Sequence, residues 1–518
     1  MSYLTYRPDG CQGQADSRLP QITRRLLRCL TDTQRQFAFD SLRLKRPALR
    51  QLAGILVDFA EDLHNDIGIW KAYERHNGRF FGVSLPLIET NSGDGSESAL
   101  SADRLRHLLW VLYPEFIDGL IVSPAHRDIE RLAEATSRFL ADAFQDVPRD
   151  SGVKAFLQTP HGYGWDVKRK LIWLGCGSYM FRLFFANYMS RNTGKKDTLG
   201  RTDDFLCQEC TRWSGLGAID ILAEVLDISA DARDELRSWY ERHVAFYKVL
   251  TVSRDALEVL NVVNDRTYRI KLNMERAPFT PGQFLFGSLV PWRGDWYWSG
   301  EQKAWPDASA VNVEEVKQDM KRRSSRIVCR CCPEYAAQVR ERASNLHKAV
   351  LEYYGKDLIV YRDGMSMAAD WQKELRWHWD SHPSEEVRDV IQRHGLTRGR
   401  PSMNIPQDLL EHNDGIGVFL NPDEGKEIMT HFKPLVAGLK RRGENLTAGQ
   451  QEAIQGFFRA DSISPQFVQR LLAEYGDESV RAAYFLKGEL PSYWLDFLLR
   501  SHKGRYYRNR YPTLGIVG

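Results

Sequence analysis

The stretch Pro281 to Trp305, PGQFLFGSLVPWRGDWYWSGEQKAW, breaks the period of the chain around it. Elsewhere apolar residues recur every three to four positions. Here they alternate, so that Phe284 and Phe286, and then Trp296 and Trp298, each share one face of an extended segment. Arg293-Gly294-Asp295 between them is a tight-hairpin signal. Working back to residue 246, the same two-residue period recurs at Lys248 to Ser253, at Leu257/Val259 and at Tyr268/Ile270/Leu272. Turn residues separate these runs at Ser253-Arg-Asp255, Asn264-Asp265, Ala277-Pro278 and Pro281-Gly282. Five short strands predict a small SH3-like or OB-like β-barrel over residues 246–306, and spacing does not separate the two types.

Outside this insert the pattern is helical. Ile22, Leu26, Leu27 and Leu30, then Leu52, Ile55, Leu56, Phe59 and Leu63, follow helix spacing. Further helices are predicted over 104–113, 127–144, 167–188 and 219–244. Residues 1–245 thus read as a mainly helical N-terminal domain, with a subdivision near 91–102 where the Gly/Ser-rich run 90–98 carries no apolar anchor. Residues 307–355 read as a helical connector. Residues 356–518 read as a strand-plus-helix domain with a basic tail. In this last part Leu358 to Met367 predicts a hairpin and Gly415 to Leu420 a buried strand. Asn421-Pro422 predicts a helix start, as do the capping box Thr447-Ala-Gly-Gln450 and Ser464-Pro465. The fold class is therefore α+β: a mainly helical multidomain protein with an inserted barrel and a C-terminal helical domain containing strands. No internal repeat of fixed period occurs.

The totals bound the function. A chain of 518 residues, 43% apolar and 27% charged, has material for several cores and is far from the composition of disorder. Its net charge of +3 makes no whole-chain case for nucleic acid, so a basic surface must be local. Eight cysteines are too few for a disulfide scaffold at this length, and the N-terminus lacks the apolar run of a secretory signal, which predicts a cytoplasmic protein with reduced thiols. No apolar run approaches the roughly 18 residues of a membrane span, so no membrane association is expected.

Five groups of residues carry candidate chemistry. Cys207 and Cys210 have the two-residue gap that chelates zinc, and Cys329 and Cys332 would complete a tetrahedron; packed or exposed thiols are the plainer reading. His378, Asp380 and His382 would share a face in a strand, and in a helix the two histidines would stand one turn apart. Either arrangement suits a catalytic metal, whereas a helix with Trp377 packed inward needs none. Arg398-Gly-Arg400-Pro401 has the core of an AT-hook for the minor groove, or is a solvated loop. The tail from Arg500 to Tyr511 interleaves Lys503, Arg505, Arg508 and Arg510 with tyrosines. That pattern suits phosphate contact plus base stacking, or a strap docked on the protein. Trp292, Trp296 and Trp298 suit a stacking platform, or the core of the barrel itself. Walker, nucleophile-elbow, zincin, kinase and dinucleotide-binding motifs do not occur.

The phrases Val167-Lys-Arg-Lys-Leu-Ile-Trp-Leu-Gly175, Leu289-Val-Pro-Trp-Arg-Gly-Asp-Trp-Tyr-Trp-Ser-Gly300 and Phe419-Leu-Asn-Pro-Asp-Glu-Gly-Lys-Glu427 resemble an uncharacterised bacterial family of domain-of-unknown-function proteins. The resemblance implies a bacterial cytosolic origin and supplies no activity, cofactor or site residue. The residues themselves predict a non-catalytic binding protein that engages nucleic acid or a partner protein through the β-module and the basic C-terminus. The alternatives are a metal-dependent hydrolase or nuclease, within a genome-defence system, and a scaffold subunit of a larger complex. No confident cofactor is indicated, zinc being the one metal the spacing suggests.

Overall fold

The computed structural model describes residues 7–8, 11, 13–89, 100–191, 198–273, 278–305, 311–322, 333–381 and 403–508. The Gly/Ser-rich run 90–98, Cys329, Cys332, His382, Arg398, Arg400 and Arg510 lie outside the described residues. The protein is mainly helical α+β, and it divides into two compact units, Met1–Cys331 with Gly488–Arg508, and Cys332–Lys487 with Asn509–Gly518.

In the first unit α1 (Leu19–Gln34) buries Leu19, Ile22, Leu26 and Leu30 on one side, and α2 (Arg46–Asn65) is its core helix, with Leu52, Ile55, Leu56 and Phe59 fully buried. α2 ends at Asp66 in the left-handed region (φ 52°), and α3 (Ile69–Phe81) begins three residues later. Its orphan N–H groups are met from α2: the Asp62 carboxylate accepts from the backbone of Gly68, Ile69 and Trp70 at 2.8, 3.1 and 2.7 Å. α4 (Ala102–Phe116) and α5 (Arg127–Ala143) complete a layer with α1.

After α6 (Gly152–Gln158), the helix predicted over 167–188 is two, α7 (Gly164–Gly177) and α8 (Arg182–Arg191). Glycines at 175 and 177 weaken the helix there, and Ser178 turns extended with its N–H on the Trp173 carbonyl. The helix predicted over 219–244 also divides. α9 (Thr198–Gln208) precedes α10 (Ala218–Val225), and α11 (Ala230–Arg237) restarts because the Ser229 hydroxyl caps the Ala232 N–H.

The five predicted strands form a closed barrel from β1 (His243–Val252), β2 (Ala256–Asn261), β3 (Thr267–Lys271), β4 (Phe284–Trp292) and β5 (Asp295–Trp305). The order is β1-β2-β3-β5-β4, and β3 meets β5 in parallel at Ile270 and Trp296. That Greek-key closure is the OB topology; an SH3-like barrel closes with antiparallel pairs alone. The β4–β5 hairpin turns at Arg293 (φ 51°) and Gly294 (φ 83°), the two positive φ values that match strand twist.

Strand alternation sorts the aromatics. Leu289 pairs with both His243 and Trp298, so Trp296 and Trp298 face the barrel interior. There Trp296 packs at 4.6 Å on His243 and on Tyr268, and Trp298 meets Tyr247 edge-on. Trp292, Val290 and Tyr297 point outward and join the helical core. The seam is specific: Trp292 Nε1 donates to the His161 carbonyl (2.9 Å) and Trp239 Nε1 to the Pro291 carbonyl (2.7 Å). A Cβ on Gly164 would lie 2.5 Å from the Tyr297 ring, so only glycine lets α7 start against β5.

Beneath the seam Asp203 is buried among Lys168, Arg242 and the Ser299 hydroxyl. Burial raises this carboxyl, but Lys168 and Arg242 outweigh it and hold it at about 2. α12 (Val313–Arg322) follows the barrel, and a helix at Trp494–Lys503 returns to the unit with Phe497 stacked on Trp110.

The second unit is a three-stranded antiparallel sheet, ordered β6 (Leu358–Tyr361), β7 (Ile416–Asn421), β8 (Gly425–Thr430), packed with α13 (Pro333–Tyr354), α14 (Gly364–Ser381) and further short helices. The hairpin predicted over 358–367 is a strand followed by a helix. The Asp363 carboxylate takes the Ser366 N–H at 2.8 Å and starts α14. Asn421 starts no helix either. Its side-chain oxygen accepts the N–H groups of Asp423 and Glu424 in an Asx turn, and Gly425 (φ 84°) leads into β8. The buried strand at 416–421 and the helix starts at Thr447 and Ser464 are as predicted.

Candidate functional site

A charged groove of about 1640 Å³ lies between α1, α2, α7 and α8. Arg24, Arg28 and Arg35 recur on one side of α1 at helix spacing, and Arg46 and Arg50 stand one turn apart on α2. Leu27, Leu44, Phe185 and Met189 form apolar lining, and Asp32 is the acidic residue of the wall. Arg35 is paired with Asp32 and Arg43 with Asp40. Arg28, Arg46 and Arg50 are exposed and have no acidic partner among the described residues. Their charge is available to a ligand.

The groove floor reaches a much smaller cavity. Arg182, almost wholly buried, lines the groove and pairs with Asp58. Asp58 borders a cavity of about 40 Å³ with Glu61, Asp62, Asp16 and Arg7. Arg7 pairs with Glu61, with Asp16 (2.6 Å) and with Asp150 (3.4 Å). Burial, and then the neighbouring carboxyls, push Glu61 up to about 8 against the pull of Arg7, and burial likewise raises Asp58.

The described tail residues are spent on the protein itself. Lys503 is buried, Arg505 bonds Glu209 at 2.5 Å, and Arg508 pairs with Asp220 at 3.0 Å while lying 3.7 Å over the Tyr240 ring. Arg500 is sandwiched by Phe80 and Tyr507. Of the tryptophans, Trp292 is fully buried, and Trp296 and Trp298, half-buried, pack on His243, Tyr268 and Tyr247 of the barrel. The β2–β3 face, where OB barrels meet oligonucleotides, is self-neutralised: Arg269 bonds Asp295 and Asp255, and Lys271 bonds Asp255.

Cys207 is buried beside Asp203 and Lys168, and burial pushes its thiol up to about 12 and that of Cys210 up to about 11. Cys329 and Cys332, the other half of the predicted tetrahedron, lie outside the described residues. His378 and Asp380 stand on α14, about 200° apart around its axis, so the strand arrangement that would align them is not formed. Among the described residues no group of three or more His, Cys, Asp or Glu side chains is placed to hold a metal ion.

Reading by hydrophobic period passed over the groove. A count of charge over 24–50 signals it, with eight Lys and Arg against two Asp in a chain whose net charge is +3. No such signal marks the acidic cavity, which joins residues from 7 to 182.

Fold and site together define a class: a helical protein with a built-in OB-topology barrel and an arginine-lined groove. Residues 2–191 match the model of the family described as "Protein of unknown function (DUF3843)". The matched span holds the whole groove, the acidic cavity and the phrase Val167–Gly175; the phrases at 289–300 and 419–427 lie beyond it. No curated protein and no solved structure matches the chain. No helix among the described residues is long and apolar enough to cross a membrane.

Proposed function

We propose that this protein is a non-catalytic binding protein that holds nucleic acid by its phosphates in the α1/α2 groove. The observation that carries the reading is the set of exposed arginines, Arg28, Arg46 and Arg50, without acidic partners among the described residues, around a wide groove. Guanidinium groups suit this task because their planar fork matches phosphate oxygens. The basic tail, paired to Glu209 and Asp220, contributes little to such binding.

Counterion release makes the reading testable. If Arg24, Arg28, Arg46 and Arg50 each meet one phosphate of a single strand, log K falls against log salt with a slope of about −3, roughly 50-fold between 50 and 200 mM salt. Fluorescence anisotropy with a labelled oligonucleotide measures this. The triple variant Arg28→Ala, Arg46→Ala, Arg50→Ala is expected to flatten the slope to about −1. Salt-independent binding, or a triple variant with wild-type affinity, overturns the reading.

A further inference from the structure

A second concavity of about 540 Å³ lies where the start of α7 meets the end of β3. Its wall carries an aromatic pair, Tyr163 stacked on Trp165 with centroids 4.7 Å apart and planes 20° from parallel. Tyr163 is 48% exposed, an unusual position for a ring already stacked on one side. The pair is held rigidly: Trp165 meets Tyr297 edge-on at 5.2 Å, and Gly164 between the two rings admits Tyr297 where any side chain would collide. Arg169, exposed, and Lys271, paired with Asp255, line the same cleft, with the exposed Asn273 beside them. The carboxylate in the same wall, Asp166, is engaged in capping its own helix through the Tyr163 N–H.

The position of this cleft relative to the arginine groove gives it meaning. Trp165 lines the cleft and Cys176 lines the groove, both on α7. Eleven residues separate them, about 16 Å along the axis and only about 20° around it. Arg169 and Ile172 fall on the same stripe, and both are exposed. One open face of α7 therefore runs from the aromatic pair to the arginines.

We propose that the Tyr163–Trp165 cleft is a base-stacking subsite for single-stranded nucleic acid, an inference that rests on the phosphate-binding reading of the groove. A strand lying along α7 would place an unstacked base on the free face of Tyr163 while its phosphates meet Arg169 and the groove arginines. Duplex bases are already stacked on one another and cannot take up such a platform, so the subsite selects single strands.

The test uses the full-length protein, labelled oligo-dT and oligo-rU of about 20 nucleotides, a DNA duplex of the same length, and inorganic polyphosphate as a ligand with charge but no bases. Tyr163 is exposed, so Tyr163→Ala leaves the fold in place. It is expected to weaken single-strand binding about tenfold or more while leaving duplex and polyphosphate binding unchanged. Tyr163→Phe, which keeps the ring, is expected to bind as the wild type does. A deficit confined to oligo-rU or to oligo-dT would support the subsite and assign it to RNA or to DNA. If Tyr163→Ala binds single strands normally while the triple arginine variant does not, the subsite falls and the groove stands. An equal loss for polyphosphate also overturns stacking. A wild-type protein that binds none of these ligands at 50 mM salt overturns both readings.

Discussion

Substitution of Glu61 by glutamine should stabilise the first unit at alkaline pH and leave it unchanged in acid. Glu61 and Asp62 stand one turn after Asp58 on α2, and with Asp16 and Asp150 they make five carboxyls around two guanidinium groups, Arg7 and Arg182. Such a cluster cannot be fully ionised without a net buried negative charge; burial raises the carboxyls of Asp58 and Asp62, and burial and then the adjacent acids push that of Glu61 from 4.5 up to about 8. The folded value lies above the unfolded one, so the folded state binds the proton more tightly. The stability this confers is complete below about 4.5 and is lost as pH rises through about 8. The gap is equivalent to about 5 kcal/mol at most, and about 2–5 kcal/mol allows for a polarisable surrounding. The glutamine side chain would keep an acceptor for Arg7 without ever ionising. Urea unfolding followed by intrinsic fluorescence at pH 5, 7 and 8.5 is the assay, with the transition of the first unit assigned by hydrogen exchange of α2 peptides. The expected result is curves within about 1 kcal/mol of each other at pH 5 and a variant more stable by about 2–5 kcal/mol at pH 8.5. A variant less stable at pH 8.5, or a difference that does not grow with pH, refutes the reasoning.

Asp203→Ala strands Lys168 and Arg242 in a dry seam and should cost about 3–5 kcal/mol, read as a lower urea midpoint. Because Asp203 is held at about 2, its contribution to wild-type stability should disappear as pH falls from about 4 to 2, and the variant should show no such acid limb. Arg508→Ala removes the pair with Asp220 and the contact with Tyr240, and limited proteolysis should then cut the tail faster. Arg508→Lys should restore little, since an ammonium does not lie flat on a ring. Gly164→Ala drives a methyl into the Tyr297 ring and should cost about 1–3 kcal/mol, with Trp165 fluorescence altered in the folded state. Asn421→Ala removes the Asx turn and leaves the buried Glu427 and Ser464 without their amide partner, costing about 2–3 kcal/mol in the second unit; no shift in its unfolding would refute that account.

Local rules made part of this protein legible. Thr447 with Gln450, Ser464 with Pro465, and the alternation through Trp296, Tyr297 and Trp298 each act within a few residues, and each appears in the fold as read. Asn421 shows where such rules are degenerate. An Asn followed by Pro, Asp and Glu suits a helix start and an Asx turn equally. The choice fell to the hairpin because β7 is buried along its whole length and needs β8 beside it. The helix predicted over 167–188 shows a different loss, since a break at Ser178 preserves the hydrophobic period on both sides.

What the sequence by itself determined was the order of helical and extended segments, which residues of a barrel strand share a face, and several helix starts, because period and capping are properties of neighbouring residues. Only the tertiary structure decided that β3 closes on β5 in parallel and that Trp292 belongs to the helical core while Trp298 belongs to the barrel. It decided too that the tail's Arg505 and Arg508 are neutralised by Glu209 and Asp220, whereas Arg28, Arg46 and Arg50 have no acidic partner among the described residues. Whether a charge is free depends on residues hundreds of positions away, and Coulomb's law acts on distance in space, for which one-dimensional order holds no measure.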